Sequence, residues 1–195
     1  MTRALLIIDV QNDFTEGGAL GVDGGHAVAT GVSQYLAEHP GRYAEVFASR
    51  DWHDATGDNG GHFARDAAPD FVDTWPVHCV AGTEGAEYDA RLDTSAVTAH
   101  VRKGQGRPAY SIFEGDVDGV PFAQLLSERG VTEVDVVGIA TDHCVLASAR
   151  DALTAGLSVS VLGDLVAGVA PMPSAAALDE LARLGARIRS SGAAG

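Results

Sequence analysis

Val134-Asp135-Val136-Val137-Gly138-Ile139-Ala140-Thr141-Asp142-His143-Cys144-Val145 passes from an apolar strand-type run directly into a segment patterned as a helix, Asp142 to Ala155. The same alternation recurs along the chain. Strand-type runs lie at Leu5–Val10, Glu45–Ser49, Val97–Arg102, Glu133–Ile139 and Ser158–Leu162, with a weaker one at Ala186–Arg189. Most are continuously apolar, as parallel strands buried on both faces are. Helices are predicted at Gly25–Glu38, Val120–Arg129, Asp142–Ala155 and Pro173–Leu184. Ser174 is the expected cap of the last, and Gly130 and Gly156 are natural stops. Strands alternating with helices predict an α/β fold, three layers deep, with a central, mostly parallel sheet.

In such sheets ligands bind beyond the carboxyl ends of the strands. Asp9, Asp51, Lys103 and Cys144 all fall at strand ends in this reading. A cysteine at a strand-to-helix junction lies near unpaired N–H groups and the positive end of the helix dipole, which favour thiolate. The same N–H groups can hold an oxyanion during acyl transfer. A nucleophilic thiol also needs a base or a cation beside it; Asp9 can be the first and Lys103 the second. Lysine is scarce here, arginine supplying nearly all the basic residues. Taken alone, Asp9 also reads as a turn aspartate capping Gln11 or Asn12, Lys103 as a surface residue, and Cys144 as a packed thiol. Cys79 follows His78 and opens no evident helix, so it reads as a packed residue and a weaker candidate nucleophile.

A second grouping lies in the long segment Asp51–Thr94, which is rich in Gly, Asp, His and Pro. A loop of that length in a compact domain is usually functional. Asp51 and His53 are two apart and point the same way if the chain is extended. With His62 and His78 they make three imidazoles and one carboxylate, a donor set suited to one divalent metal ion: zinc, iron or manganese. A closed structural zinc site is the alternative. His26, His39 and His100 lack this clustering and read as structural. Phe14, Trp75 and Tyr110 stand beside these motifs and are candidates for a flat slot around a planar ring.

The 195 residues suit a single domain, 1–195, with the metal-binding loop region at about 51–94. The net charge of −14 argues against nucleic-acid or anionic membrane partners and is silent on the small molecule bound. Two cysteines without a spaced framework, and no signal-peptide or spanning pattern, lead to the expectation of a soluble, cytoplasmic protein, either a monomer or a small homo-oligomer. The polar end, Ser190–Gly195, is expected to fray.

Four blocks carry a resemblance over nearly the whole chain: Ile7-Ile8-Asp9-Val10-Gln11-Asn12-Asp13-Phe14, Ser49-Arg50-Asp51-Trp52-His53, Trp75-Pro76-Val77-His78-Cys79, and Gly138 to Val145, with Lys103-Gly104 between the last two. They resemble the nicotinamidase/pyrazinamidase branch of the isochorismatase-like cysteine hydrolases. The resemblance implies an α/β/α fold, and hydrolysis of nicotinamide, with pyrazinamide as a further substrate, through a thioester. It implies Asp9, Lys103 and Cys144 as the triad, and Asp51, His53, His62 and His78 as ligands of one divalent metal. Phe14, Trp75, Tyr110, Ile139 and His143 would line the ring pocket. The Ile139–Ala140 peptide would be cis, and the N–H groups of Ala140 and Cys144 would form the oxyanion hole. Ile112 stands where many relatives have a smaller residue and is expected to narrow the pocket. The alternatives are a related amidase acting on another small amide or carbamoyl compound, a non-catalytic binding module, and a thiol redox protein using Cys79 with Cys144.

Overall fold

The apolar run at the start of the chain forms the central strand β1 (Thr2–Ile8) in the computed structural model, which describes residues 2–192. Met1 and residues 193–195, part of the end expected to fray, lie outside the described residues. Successive β1 side chains alternate between two cores. Ala4, Leu6 and Ile8 join one, and Leu5 and Ile7 join the other. All five are fully buried. This is why the run is apolar throughout: neither face of the strand meets water.

The remaining strands are β2 (Glu45–Asp51), β3 (Ala99–Lys103), β4 (Asp116–Val117), β5 (Val120–Pro121), β6 (Val131–Ile139), β7 (Ser158–Ala167) and β8 (Arg187–Arg189). They form one sheet in the order β5-β4-β3-β2-β1-β6-β7-β8. β3 through β8 by way of β2, β1, β6 and β7 pair in parallel; only β4 and β5 are antiparallel. Helix α1 (Gly25–Glu38) covers one face through Val28, Ala29, Val32 and Tyr35. Helices α2 (Phe122–Glu128), α3 (Leu146–Thr154) and α4 (Pro171–Arg183) cover the other through residues such as Phe122, Ala149 and Leu181. The expected three-layer α/β/α architecture is thus observed.

The chain leaves β1 toward β2 on one side and later returns to β1's other side as β6. The carboxyl ends of β1 and β6 therefore form a switch point, where open α/β sheets place their ligand crevices.

Three local expectations are corrected. Val120 and Pro121 do not begin α2. They pair with Asp116 and Val117 across the turn Asp118-Gly119, whose φ values of 50° and 86° are those of a tight hairpin turn. Pro121 cannot donate into the sheet and ends it at this edge. The helix predicted from Asp142 starts as a π-helical turn, Thr141–Val145, before α3. Ser174 is not a cap: α4 begins at Pro171, and the Ser174 hydroxyl donates back to the Ala170 carbonyl at 2.7 Å.

Gly138 shows how tightly β6 lies on β1. Its φ is 116°, and a Cβ there would come 2.1 Å from the Ile8 carbonyl oxygen. Neither neighbour can yield, because both belong to central strands. Gly138→Ala is expected to cost about 3 kcal/mol or more, a fall in Tm of about 6–12 °C. Thermal denaturation checks this; an unchanged Tm would contradict it.

Candidate active site

Four strand ends supply the polar residues. Asp9 follows β1 with a left-handed φ of 47°, Asp51 ends β2, Lys103 ends β3, and Cys144 lies in the π-turn after β6. Asp51 and Lys103 are also paired neighbours in the β2–β3 register.

Lys103 is the only lysine in the sequence and is fully buried. Its Nζ donates to Asp51 Oδ1 in a short contact, to the Ala109 carbonyl at 3.3 Å and to Cys144 Sγ at 3.7 Å. An ammonium has three N–H bonds, and these three acceptors use them. Asp9 Oδ2 lies 2.9 Å from the same nitrogen, a charge contact off the hydrogen-bond direction. It is buried and receives no aligned donor. Asp9 Oδ1 accepts the Ser49 hydroxyl at 2.7 Å. One oxygen of Asp9 is thus held, and the other is available to a proton. Asp9 does stand in a turn, but its carbonyl and not its carboxylate accepts the Gln11 N–H, at 2.9 Å, which leaves the side chain to the site.

Charge is distributed unequally over this group. Burial disfavours the Lys103 ammonium, but Asp51 and Asp9 more than offset it and hold it well above its ordinary value. Burial also opposes ionisation of Asp51, yet Lys103 and the nearby His53 and His78 rings keep it well below the usual carboxylate range. Asp9 is pushed up by burial and by the neighbouring Asp51, against the pull of Lys103. The two carboxylates are driven apart, one fixed as an anion and one ready to take a proton, as in sites that divide such roles.

Cys144 departs from expectation. Its thiol is pushed well above its ordinary value, chiefly by burial, with Lys103 pulling it down and Asp9 and Asp51 pushing it up. The helix end favours thiolate locally; burial of the sulfur reverses it, with Asp9 and Asp51 adding to the effect. At rest the site holds a neutral thiol that needs a base. Cys79 is also buried, its thiol likewise raised by burial, and it packs near the Gly85 carbonyl. Both cysteines are free.

The three loop histidines converge. Their ring centroids lie 4.8–5.2 Å apart, and one nitrogen of each falls within 4.8 Å of the others. The Nδ1–H of His53 donates to the Gly104 carbonyl at 2.8 Å, and that of His78 to the Pro76 carbonyl at 2.7 Å. Carbonyls only accept, so each ring carries a proton on Nδ1, and the neutral tautomer that fits presents Nε2 as a lone pair. His53 Nε2 is buried without a partner. Asp51 Oδ2 lies 3.7 Å and 3.8 Å from the Nε2 atoms of His53 and His78. Burial, with His53 and His78 nearby, lowers His62 to about 4, leaving it neutral at ordinary pH. Imidazoles oriented by backbone carbonyls, beside an ionised carboxylate, fit the needs of a divalent metal.

A cavity of about 390 Å³ joins the two groups. Phe14, Trp75, Tyr110, Ile139 and His143 line it together with Asp51, His62, His78 and Cys144. Trp75 Nε1–H donates to the Tyr110 hydroxyl at 3.0 Å and packs edge-on to His143, ring centroids 5.3 Å apart. The Ile139–Ala140 peptide is cis. Asp9, Lys103 and His53 are fully buried and absent from the cavity lining. Ile112 does not narrow the cavity. It is fully buried in the core shared with Phe47 and Phe122. Its N–H donates to Ser148 Oγ.

Several contributors escaped the sequence reading. Ala19, Leu20 and Val22 also line the cavity, as do the exposed Phe71 and Val169. These loop residues carry no periodic signal. Asp13 and Gln11 were also missed as organisers: Asp13 Oδ2 accepts the Cys79 N–H at 2.7 Å, beside His78. The polar run Gln11-Asn12-Asp13 directly after an apolar strand was the available sign.

An α/β domain that gathers an acid, a buried lysine and a cysteine at its strand ends, beside a histidine cluster and one cavity, has the makeup of a hydrolase. The chain belongs to the isochorismatase family: the isochorismatase domain profile matches residues 3–193. It is 52% identical over 180 residues to the nicotinamidase/pyrazinamidase of Mycobacterium tuberculosis, covering 92% of this chain and 94% of that one. Among solved structures it is similar to the pyrazinamidase of Pyrococcus horikoshii in complex with zinc, with 36% identity, a TM-score of 0.83, and 97% and 99% of the two chains covered. The PnC1 protein of L. infantum in complex with nicotinate is similar at 36% identity and a TM-score of 0.84, covering 97% and 93%.

Proposed function

We propose that this chain is a metal-dependent cysteine amidohydrolase that converts nicotinamide to nicotinate and ammonia, and also accepts pyrazinamide. The observation that carries this reading is one cavity lined by Cys144, with Asp9 and Lys103 buried behind it, and by His62 and His78 of the three converging histidines. The similarity to named nicotinamidases and pyrazinamidases supports the substrate.

Asp51, His53, His62 and His78 would hold one divalent metal ion. When bound, that ion supplies a Lewis-acidic partner for the pyridine nitrogen and so orients the ring. Phe14 and Trp75 flank the ring, which leaves the carboxamide beside Cys144. Asp9 Oδ2 takes the thiol proton while Lys103 steadies the forming thiolate. Sulfur attacks the amide carbon, and the N–H groups of Ala140 and Cys144 hold the oxyanion. As the C–N bond breaks, Asp9 returns the proton to nitrogen and ammonia leaves a thioester. Water then gives a proton to Asp9 and attacks the thioester. Nicotinate departs, and the proton returns to sulfur. The zinc, iron or manganese ion, the single domain and a cytoplasmic setting are parts of this reading; among the described residues no helix is long and apolar enough to cross a membrane.

His62 is the cleaner probe of the metal, since Asp51 also serves Lys103. His62→Ala is expected to lower bound metal and raise KM at least about tenfold, with a smaller change in kcat. Full metal content in that variant would remove His62 from the ligand set.

The aldehyde analogue of nicotinamide tests the nucleophile. Labelled at the aldehyde carbon and followed by carbon NMR, it is expected to convert on binding to a tetrahedral thiohemiacetal, sulfur bonding to carbon and the thiol proton passing to oxygen. The signal should vanish in Cys144→Ser. A label that stays an aldehyde on the intact protein would refute the reading.

A further inference from the structure

β2 runs past its neighbour. The β1–β2 register ends at Ile7 and Ala48, yet β2 continues to Asp51. The β1-facing edge of Asp51 therefore has no strand to pair with. Gln11 takes that place. Its Oε1 accepts the Asp51 N–H at 2.8 Å, and its Nε2 donates to the Asp51 carbonyl at 2.9 Å. The second Nε2 proton goes to the Ala86 carbonyl at 2.8 Å. Gln11 is fully buried, and these three bonds use both of its donors and its acceptor. A side-chain amide thus completes the sheet where the backbone of β1 has turned away at Asp9.

Asp51 is the residue that touches both halves of the site. One carboxylate oxygen meets Lys103, and the other faces the Nε2 atoms of His53 and His78. Its opposite backbone edge is fixed by β3 through the Asp51–Lys103 pairing. We propose that Gln11 is a positioning residue for the metal site, holding the Asp51 carboxylate in the ligand sphere by clamping both polar groups of its backbone. Gln11 touches neither the thiol nor the cavity, so it acts only through Asp51. The inference rests on the reading of Asp51 and the three histidines as metal ligands.

The test uses zinc alone, without substrate. Zinc affinity is measured by competition with a chromophoric chelator, well below Tm, for the intact protein and for Gln11→Met. Methionine keeps the length and removes all three hydrogen bonds. The expected result is a loss of about tenfold to a hundredfold in zinc affinity, the usual effect of removing a group that orients a ligand. KM should rise more than kcat falls. A role in stability alone would lower Tm and leave zinc affinity of the folded protein unchanged. If Gln11→Met does not fold, Gln11→Glu serves: it keeps the shape and one acceptor but loses both donors, and the same loss is expected. Zinc affinity within twofold of the unmodified protein in a folded variant would overturn the proposal while leaving the metal reading intact. Failure of the unmodified protein to bind zinc would overturn the metal reading and this proposal with it.

Discussion

Cys144→Ala is expected to lower ammonia release from nicotinamide by at least about 10⁴-fold, with Tm changed by only a few degrees. The size of the effect follows from the resting chemistry. The thiol is neutral and buried, with Lys103 at 3.7 Å and an Asp9 oxygen without an aligned donor nearby. No other residue around the cavity combines a nucleophilic atom with such a base. Cys79 does not replace it, because Cys79 is absent from the cavity lining. The stability cost is small because alanine deletes a single sulfur at the cavity wall. Nicotinamide hydrolysis and thermal melts on the purified variant check both halves. Activity within tenfold of the unmodified protein would remove Cys144 from the mechanism.

Lys103→Met is expected to destabilise the fold by about 3–5 kcal/mol and to abolish activity. The ammonium is the one cationic side chain that the structure places against both Asp9 and Asp51, and all three groups are buried. Its removal leaves two carboxylates facing each other without a counter-ion. The companion variant Lys103→Met/Asp51→Asn removes one of those charges. It is expected to recover part of the stability, so the two substitutions combine less than additively, but to remain inactive. Denaturant unfolding of the single and double variants measures this. A Lys103→Met protein as stable as the unmodified one would show that the carboxylates do not depend on the lysine.

Much of the site was readable because chemistry and topology coincide. Asp9 and Asp51 each follow a run of buried residues, Lys103 ends a strand and Cys144 lies one turn past another, and parallel strands bring their carboxyl ends to one edge. The apolar run Leu5–Ile8 is visible for the same reason: both its faces are buried. Asp118-Gly119 between two valines was a legible hairpin signal, and the helical pattern that follows it obscured it. Ile112 could not be placed from its neighbours, since nothing local tells whether a loop side chain enters the cavity or the core. The thiol of Cys144 illustrates the same limit. Its helix end is a local feature, whereas the burial that pushes the thiol up is set by the assembled fold. Gln11 was passed over because its partner, Asp51, lies 40 residues away.

The most direct test is ammonia release from nicotinamide by the purified protein, measured as isolated, after metal chelation, and after zinc is restored. The account predicts release that chelation abolishes and zinc recovers. Undiminished release after complete removal of metal would contradict the role given to Asp51 and the three histidines, and no release from metal-replete, reduced protein would contradict nicotinamide as the substrate.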